Sequence, residues 1–205
     1  MGKQSWKAGN MLNPVPAVMV SVADQNHRPN IITVAWAGTV CTNPPMVSIS
    51  VRPSRYSYEI IEKTGEFVIN LTNEKLAKAC DYCGVVSGRD VDKFTTFNDI
   101  KRSPNGLLYI TKDTNSYMSA FVKQEIDLGT HTLFIAQLVA AETLSDIPTA
   151  TYTYYQQNIK PKPEKTEKRG WRCKICGFIY EGDDLPADYI CPVCKHGAAD
   201  FERIS

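Results

Sequence analysis

The chain has 205 residues, with 23 Lys and Arg against 22 Asp and Glu and a formal charge of +1. That balance, without a basic stripe, argues against a nucleic-acid partner, and no apolar run approaches the roughly 18 residues of a membrane span. Met1 to Lys7 are followed by Asn10, Asn13, Pro14 and Pro16 rather than by an apolar stretch. This lack of a leader pattern predicts a cytoplasmic protein, in which the seven cysteines would be thiols or metal ligands rather than disulfides.

Strand signals dominate the first three quarters of the chain. Residues 17–22, 31–36 and 46–51 are rich in Val and Ile and read as strands, with a turn over 25–29. Residues 57–63 read as a short helix stopped at Gly65, and 66–70 as the strand after it. Asn73 is a candidate N-cap for a helix running to about Tyr82. Residues 118–126 and 132–139 form a hairpin with its turn at Gly129. Many strands, few helices and glycine turns predict a mainly β fold, a closed barrel with helical insertions. Residues 156–170 are lysine-rich, polar and hold Pro161 and Pro163, so they read as a linker able to span roughly 20 Å. The predicted organisation is a body over 1–155, this linker, and a tail over 171–205.

The tail is too small to fold by apolar burial alone. It holds Cys173 and Cys176, then Cys191 and Cys194, two C-x2-C pairs with 14 residues between them. Each pair is a turn that aims two sulfurs at one point, and two such turns complete the tetrahedral thiolate set that suits zinc or iron. Spacing alone leans to zinc; Trp171, Phe178, Tyr180, Tyr189 and Phe201 supply an aromatic shell. Elsewhere, Cys80 and Cys83 share one helix face and read as packed core thiols. Cys41 reads as an inert thiol with a redox role as the alternative, and His131 as structural with a pocket role as the alternative. The Ser, Thr and Arg residues on successive strands around Trp36 would suit an anionic, planar cofactor.

Two resemblances sharpen this. Cys173-x-x-Cys176-Gly177-x-x-Tyr180, then Asp184-Leu-Pro-Ala-Asp188, Cys191-Pro-x-Cys194 and Asp200-Phe-Glu202 resemble rubredoxin, in particular the short rubredoxin domain at the end of rubrerythrins. This implies one iron on the four cysteines, although Lys195 stands where many rubredoxins have glycine. Arg28 to Trp36, Asn43-Pro-Pro45, Arg55 to Ile61, Gly65 to Asn70, Ser87 to Phe94 and Gly129-Thr-His131 resemble the flavin reductase-like, FMN-binding split-barrel family. That resemblance implies a split β-barrel homodimer with one FMN per subunit. Carried over by position, Asn30, Thr33, Ala35 and Trp36 would line the ring or ribityl chain, and Cys41 and Thr42 would sit by the isoalloxazine. Ser50, Arg52, Ser54 and Tyr56 would lie toward the phosphate, and Lys93 would reach the flavin, across the dimer if not within the chain.

The fusion resembles the high-molecular-weight rubredoxins of anaerobes. It implies an oxidoreductase that takes electrons from NAD(P)H through FMN to the iron, and passes them to an acceptor such as a flavodiiron oxygen or nitric oxide reductase. The alternatives are an electron shuttle reduced by a protein partner, and a flavoprotein with a structural zinc ribbon. No catalytic side chain stands out.

Overall fold

The computed structural model describes residues 9, 12, 14–160, 170–175, 177–193 and 195–204. The chain divides into two compact units, Met1–Lys160 and Pro161–Ser205. Among the described residues no helix is long and apolar enough to cross a membrane.

The first unit is built on seven antiparallel strands: β1 (Val18–Ala23), β2 (Pro29–Val34), β3 (Ala37–Thr42), β4 (Pro45–Val51), β5 (Glu66–Thr72), and further along the chain β8 (Thr114–Asp127) and β9 (Thr132–Thr143). Between β5 and β8 lies a small hairpin of β6 (Ile100–Arg102) and β7 (Leu108–Ile110). The seven strands pair in the order β2-β1-β5-β8-β9-β4-β3. The two edge strands, β2 and β3, are neighbours in sequence, and Val34 and Ala37 are separated only by Ala35 and Trp36. In a flat sheet these edges would lie roughly 29 Å apart at ~4.8 Å per strand. Three Cα steps reach at most about 11 Å, so the sheet must curl until its edges meet. The barrel that strand composition alone predicted as closed is split, as the family resemblance implied: among the described residues no ladder joins β2 to β3. The gap is spanned by the chain itself, and the Ser50 amide on β4 holds that connection by donating to the Trp36 carbonyl at 2.9 Å.

Inside the curl, Val20, Ile49, Ile61, Phe67 and Phe134 form the main core. The outer side of β1 and β2 is covered as well, because Met19 and Ile31 pack with Cys80, Cys83, Phe94 and Ile110. Burial on both faces explains why residues 17–22 read as a continuous apolar run rather than an alternating one.

Helix α1 (Tyr56–Thr64) ends at Gly65, whose φ of 67° gives the left-handed C-cap expected there. Asn73 caps as predicted, accepting from the Lys75 amide at 2.9 Å, but it opens a 3-10 turn, Glu74–Leu76, that leads into α2 (Ala77–Val85). Helix α3 (Tyr152–Asn158) crosses the predicted start of the linker at residue 156. Three contacts hold it. Thr151 Oγ1 accepts from the Tyr154 amide, Tyr152 and Tyr155 stack, and the Tyr155 hydroxyl donates to Asp81 on α2.

The second unit is a three-stranded sheet, β10 (Gly170–Cys173), β11 (Ile179–Tyr180) and β12 (Phe201–Ile204), with β10 in the centre. Its core is Cys173, Cys191 and Phe201, with Trp171, Phe178, Tyr180, Leu185 and Tyr189 packed around them. The shell anticipated around the cysteines is thus present, with Tyr189 edge-on to Phe201 at 5.5 Å between centroids.

Candidate functional site: a flavin groove and a cysteine centre

The seam between β2 and β3 opens into a groove of two joined cavities. The smaller, about 90 Å³, is polar and is lined by Asn30, Ser54, Arg55, Tyr56, Ser57, Ser87, Gly88 and Lys93. The larger, about 300 Å³, is lined by Thr33, Ala35, Trp36, Ser50, Arg52, Arg55, His131 and Tyr152. Ile32 and Arg55 border both. Beyond Trp36, Ser50 and His131 the space widens again toward Leu128 and Thr130.

The polar end is rigidly built. The Asn30 amide donates to Ser57 Oγ at 2.8 Å, with both residues buried. The Gly88 backbone lies so close that a Cβ there would sit 2.0 Å from Asn30 Oδ1. Lys93 is 3% exposed, and its Nζ donates to the carbonyls of Ile31 at 2.7 Å and Cys83 at 2.9 Å. Two of its three ammonium protons are thus committed to tying β2 to α2, within its own chain. Burial lowers its pKa from the ordinary lysine value, partly opposed by the nearby Cys83 and reinforced by Arg55. Outside, Arg28 and Arg89 lie over the Tyr56 ring at 6.0 and 5.0 Å from its centroid, and Arg89 pairs with Glu59.

The wide end sets an aromatic pair beside hydroxyl and basic side chains. Trp36 meets Tyr152 at 6.0 Å between centroids. Thr33 Oγ1 donates to the Cys80 carbonyl. His131 lies against Thr130 Oγ1 at 3.0 Å, and burial followed by the Arg52 charge lowers its pKa from the usual histidine value. His131 is therefore a groove residue, the alternative left open by the sequence.

The expected site residues divide between the two ends of the groove. Asn30 lies at the polar end, its amide donated to Ser57 at the start of α1. Ser50 and Arg52 belong to the wide end, because β4 pairs with β9 through Ser50↔Leu133 and Val51↔Thr132, beside His131. Ser54, Tyr56 and Lys93 meet at the polar end, and Thr33, Ala35 and Trp36 at the wide one. Within one chain, Cys41 and Thr42 are not brought to the groove. Strand β3 carries them toward Pro45 and Met46, five or more residues beyond Trp36 and roughly 16 Å at strand rise. There they line a separate apolar cavity of about 340 Å³ with Pro16, Val18, Leu71 and Leu138. Groove residues missing from the sequence-based set include Arg55, Ser57, Ser87, Gly88 and Tyr152. The Tyr-rich run Thr151 to Tyr155 before the linker was the available signal for Tyr152.

In the second unit, Cys173 and Cys191 sit side by side in the buried cluster; Cys176 and Cys194 lie outside the described residues. The two turns repeat one pattern. The Gly177 amide donates to the Cys173 carbonyl and the Lys195 amide to the Cys191 carbonyl, both at 2.9 Å. The Cys173 and Cys191 amides donate five residues on, to Phe178 and His196, both at 2.8 Å. Gly177 has φ 78° and Lys195 φ 63°, the left-handed conformation that closes such a turn. Two buried thiols in matched turns, each with a further cysteine three residues on, fit a tetrahedral thiolate metal.

A groove edged by hydroxyls and basic side chains, with Trp36 and Tyr152 at its wide end, thus lies beside the seam of a split barrel. The chain belongs to the flavin reductase-like domain family, whose model matches residues 11–162, and residues 171–202 match the rubrerythrin rubredoxin-like domain. Across both units it is similar to the high molecular weight rubredoxin of Moorella thermoacetica, 31% identical over 80% of this chain and 85% of that protein. The ferric-chelate reductase (NAD(P)H) of Archaeoglobus fulgidus is 25% identical over 61% of this chain and 74% of its own. Among solved structures, the flavoredoxin of Desulfovibrio vulgaris (Miyazaki F) superposes with a TM-score of 0.63 at 28% identity, covering 69% of this chain and 76% of that one. The protein is a flavoprotein oxidoreductase of the electron-transport type, fused to a rubredoxin-like domain.

Proposed function

We propose that this protein oxidises NAD(P)H, passes the electrons by way of FMN to a single iron on Cys173, Cys176, Cys191 and Cys194, and delivers them to an external redox protein. A flavodiiron-type reductase is the proposed acceptor, and a cytoplasmic homodimer the proposed state. The observation that carries this reading is the presence in one chain of a flavin groove and a matched pair of cysteine turns. FMN, when bound, takes two electrons together and releases them singly, which suits a four-thiolate iron that accepts one.

The groove residues divide the work of holding that cofactor. Ser54, Arg55 and Ser87, with the start of α1, offer donors to a phosphate. Lys93 adds its charge and its remaining proton from below. Ala35, Trp36 and Tyr152 offer apolar surface to a ring at the wide end. Arg52 holds positive charge beside His131 and so favours the neutral imidazole, which can donate or accept one hydrogen bond at the rim.

The reading is tested by mixing the purified protein with NADH or NADPH without air and following visible absorbance. Bleaching of the flavin band together with the ferric-thiolate band supports it. Flavin bleaching with the iron left ferric refutes the internal relay. The likeness to flavoredoxin supports one other reading, a carrier reduced by a protein partner; it predicts that neither band responds to nicotinamide. Metal analysis of the purified protein separates iron from a structural zinc.

A further inference from the structure

Tyr56, at the start of α1, borders two cavities. One is the polar end of the groove. The other is a pocket of about 200 Å³ lined by Asp24, Asn26, Tyr56, Glu59, Lys63 and Thr64. Drug-sized ligands take pockets of roughly 300–1,000 Å³, so this one suits half of a dinucleotide rather than the whole.

The junction carries surplus positive charge. Arg28 and Arg89 both lie over the Tyr56 ring, 6.0 and 5.0 Å from its centroid, an arrangement that fixes the planes of their guanidinium groups. Arg28 also donates through Nη2 to the Gly88 carbonyl at 3.2 Å, on the loop that lines the polar end. Among the described residues Arg28 makes no ion pair, and Arg89 pairs with Glu59. With Arg55 and Lys93 on one side and Lys63 on the other, these cations face only Asp24 and Glu59 among the residues lining the two cavities. One flavin phosphate at the polar end leaves cations over for a second phosphate.

The opposite wall of the pocket is the turn between β1 and β2, and it is held in place. Asp24 Oδ1 accepts from the amides of Asn26 and Arg28, both at 2.9 Å. The Asp24 amide donates to the Arg28 carbonyl at 3.0 Å, and the His27 amide to the Asp24 carbonyl at 2.8 Å. His27 takes the left-handed φ of 61° that closes the turn. With Oδ1 committed, Asp24 keeps a second carboxylate oxygen for a sugar hydroxyl or a base amine, and Asn26 brings both a donor and an acceptor.

We propose that the Tyr56 junction and its pocket form an adenylate subsite. Arg28 and Arg89 hold a phosphate, and the pocket takes the adenosine of a dinucleotide whose other half lies in the groove. This rests on the flavin reading of the groove and deepens it, since an adenosine phosphate is the half that NADH and FAD share.

The test is isothermal titration of AMP into the full chain with FMN bound. The expected result is one AMP per chain, with ribose 5-phosphate binding about tenfold more weakly for want of a base to stack. Arg28→Ala with Arg89→Ala should weaken AMP roughly tenfold or more. FMN affinity in that variant should change less than about threefold, which also shows that it is folded. Glu59→Gln, which releases Arg89, should tighten AMP about two- to threefold. If NADH supplies the adenylate, AMP competes with NADH, and the double variant raises the KM for NADH about tenfold at unchanged kcat. If FAD supplies it, FAD displaces AMP, and the double variant loses about tenfold in FAD affinity while FMN affinity holds. Either result supports the subsite. No AMP binding, equal binding of ribose 5-phosphate, indifference to both arginines, or bound AMP that neither NADH nor FAD displaces would overturn it. A chain that takes up no FMN refutes the flavin reading instead, and AMP titration of that flavin-free chain reports on the pocket separately.

Discussion

Gly88→Ala probes the polar end of the groove. The new Cβ would lie 2.0 Å from Asn30 Oδ1, 2.5 Å from its Cγ and 3.0 Å from its Nδ2. Asn30 must therefore turn away, breaking its 2.8 Å bond to Ser57, and both residues are buried. Overpacking costs about 1–3 kcal/mol, and a buried hydrogen bond lost with its partner left behind about 1–3 kcal/mol. The single variant should thus lose about 2–6 kcal/mol of stability. Asn30→Ala alone removes the bond without a clash and should cost about 1–2 kcal/mol. Once Asn30 is Ala, the added methyl at 88 has room, so the double variant should cost little more than Asn30→Ala. The cycle then shows a coupling about as large as the Gly88→Ala loss itself, about 2–6 kcal/mol in favour of the double variant. Equilibrium urea unfolding of the sheet signal measures the cycle, and FMN titration by fluorescence quenching follows the cavity. Additive costs, or a Gly88→Ala loss below about 0.5 kcal/mol, would show that the close approach is not constraining.

Three further outcomes follow from the same geometry. Tyr155 has its pKa raised to about 12 by burial first and by its bond to Asp81 second. A phenol raised above its unfolded value near 10 contributes stability that is fully present below pH 10 and lost as pH rises through about 12; the melting temperature should fall more steeply over that window in the parent than in Tyr155→Phe. Burial pushes the Cys80 thiol up to about 11 and the Cys83 thiol up to about 12, so neither should be alkylated by iodoacetamide at pH 8 in the folded protein, while Cys41 is labelled; mass spectrometry of digests decides. Stripping the metal with a strong chelator should unfold the second unit, whose buried core is little more than two thiols and Phe201; NMR amide dispersion should collapse for residues 170–204 and persist for the strands of the first unit.

Much of the fold was legible because its signals are local. Gly65 stops α1 and Gly129, with φ 84°, turns the β8–β9 hairpin, as their neighbours in sequence imply. The cysteine turns were legible because each is five residues long and its chemistry is carried by spacing. Strand β3 was not, since Ala37-Gly-Thr-Val-Cys-Thr42 lies at an edge with an exposed middle and shows no alternation of apolar and polar residues. The groove was read in part: its β2 and β4 residues lie in a recognisable stretch, but Tyr152 reaches Trp36 across more than a hundred residues. No periodicity encodes that contact. Helix α3 was illegible for a related reason, because Gln156 and Gln157 are polar yet helical, carried by tyrosines that dock behind them.

The two-residue stitch between the sheet's edges has an evolutionary consequence. Ala35 and Trp36 belong to no strand ladder, so replacing them leaves the paired backbone that defines the barrel intact. They nonetheless form a wall of the groove. Ligand preference and architecture are thereby placed under nearly separate genetic control. A lineage can rewrite the seam to suit a new ligand while inheriting the same seven strands unchanged.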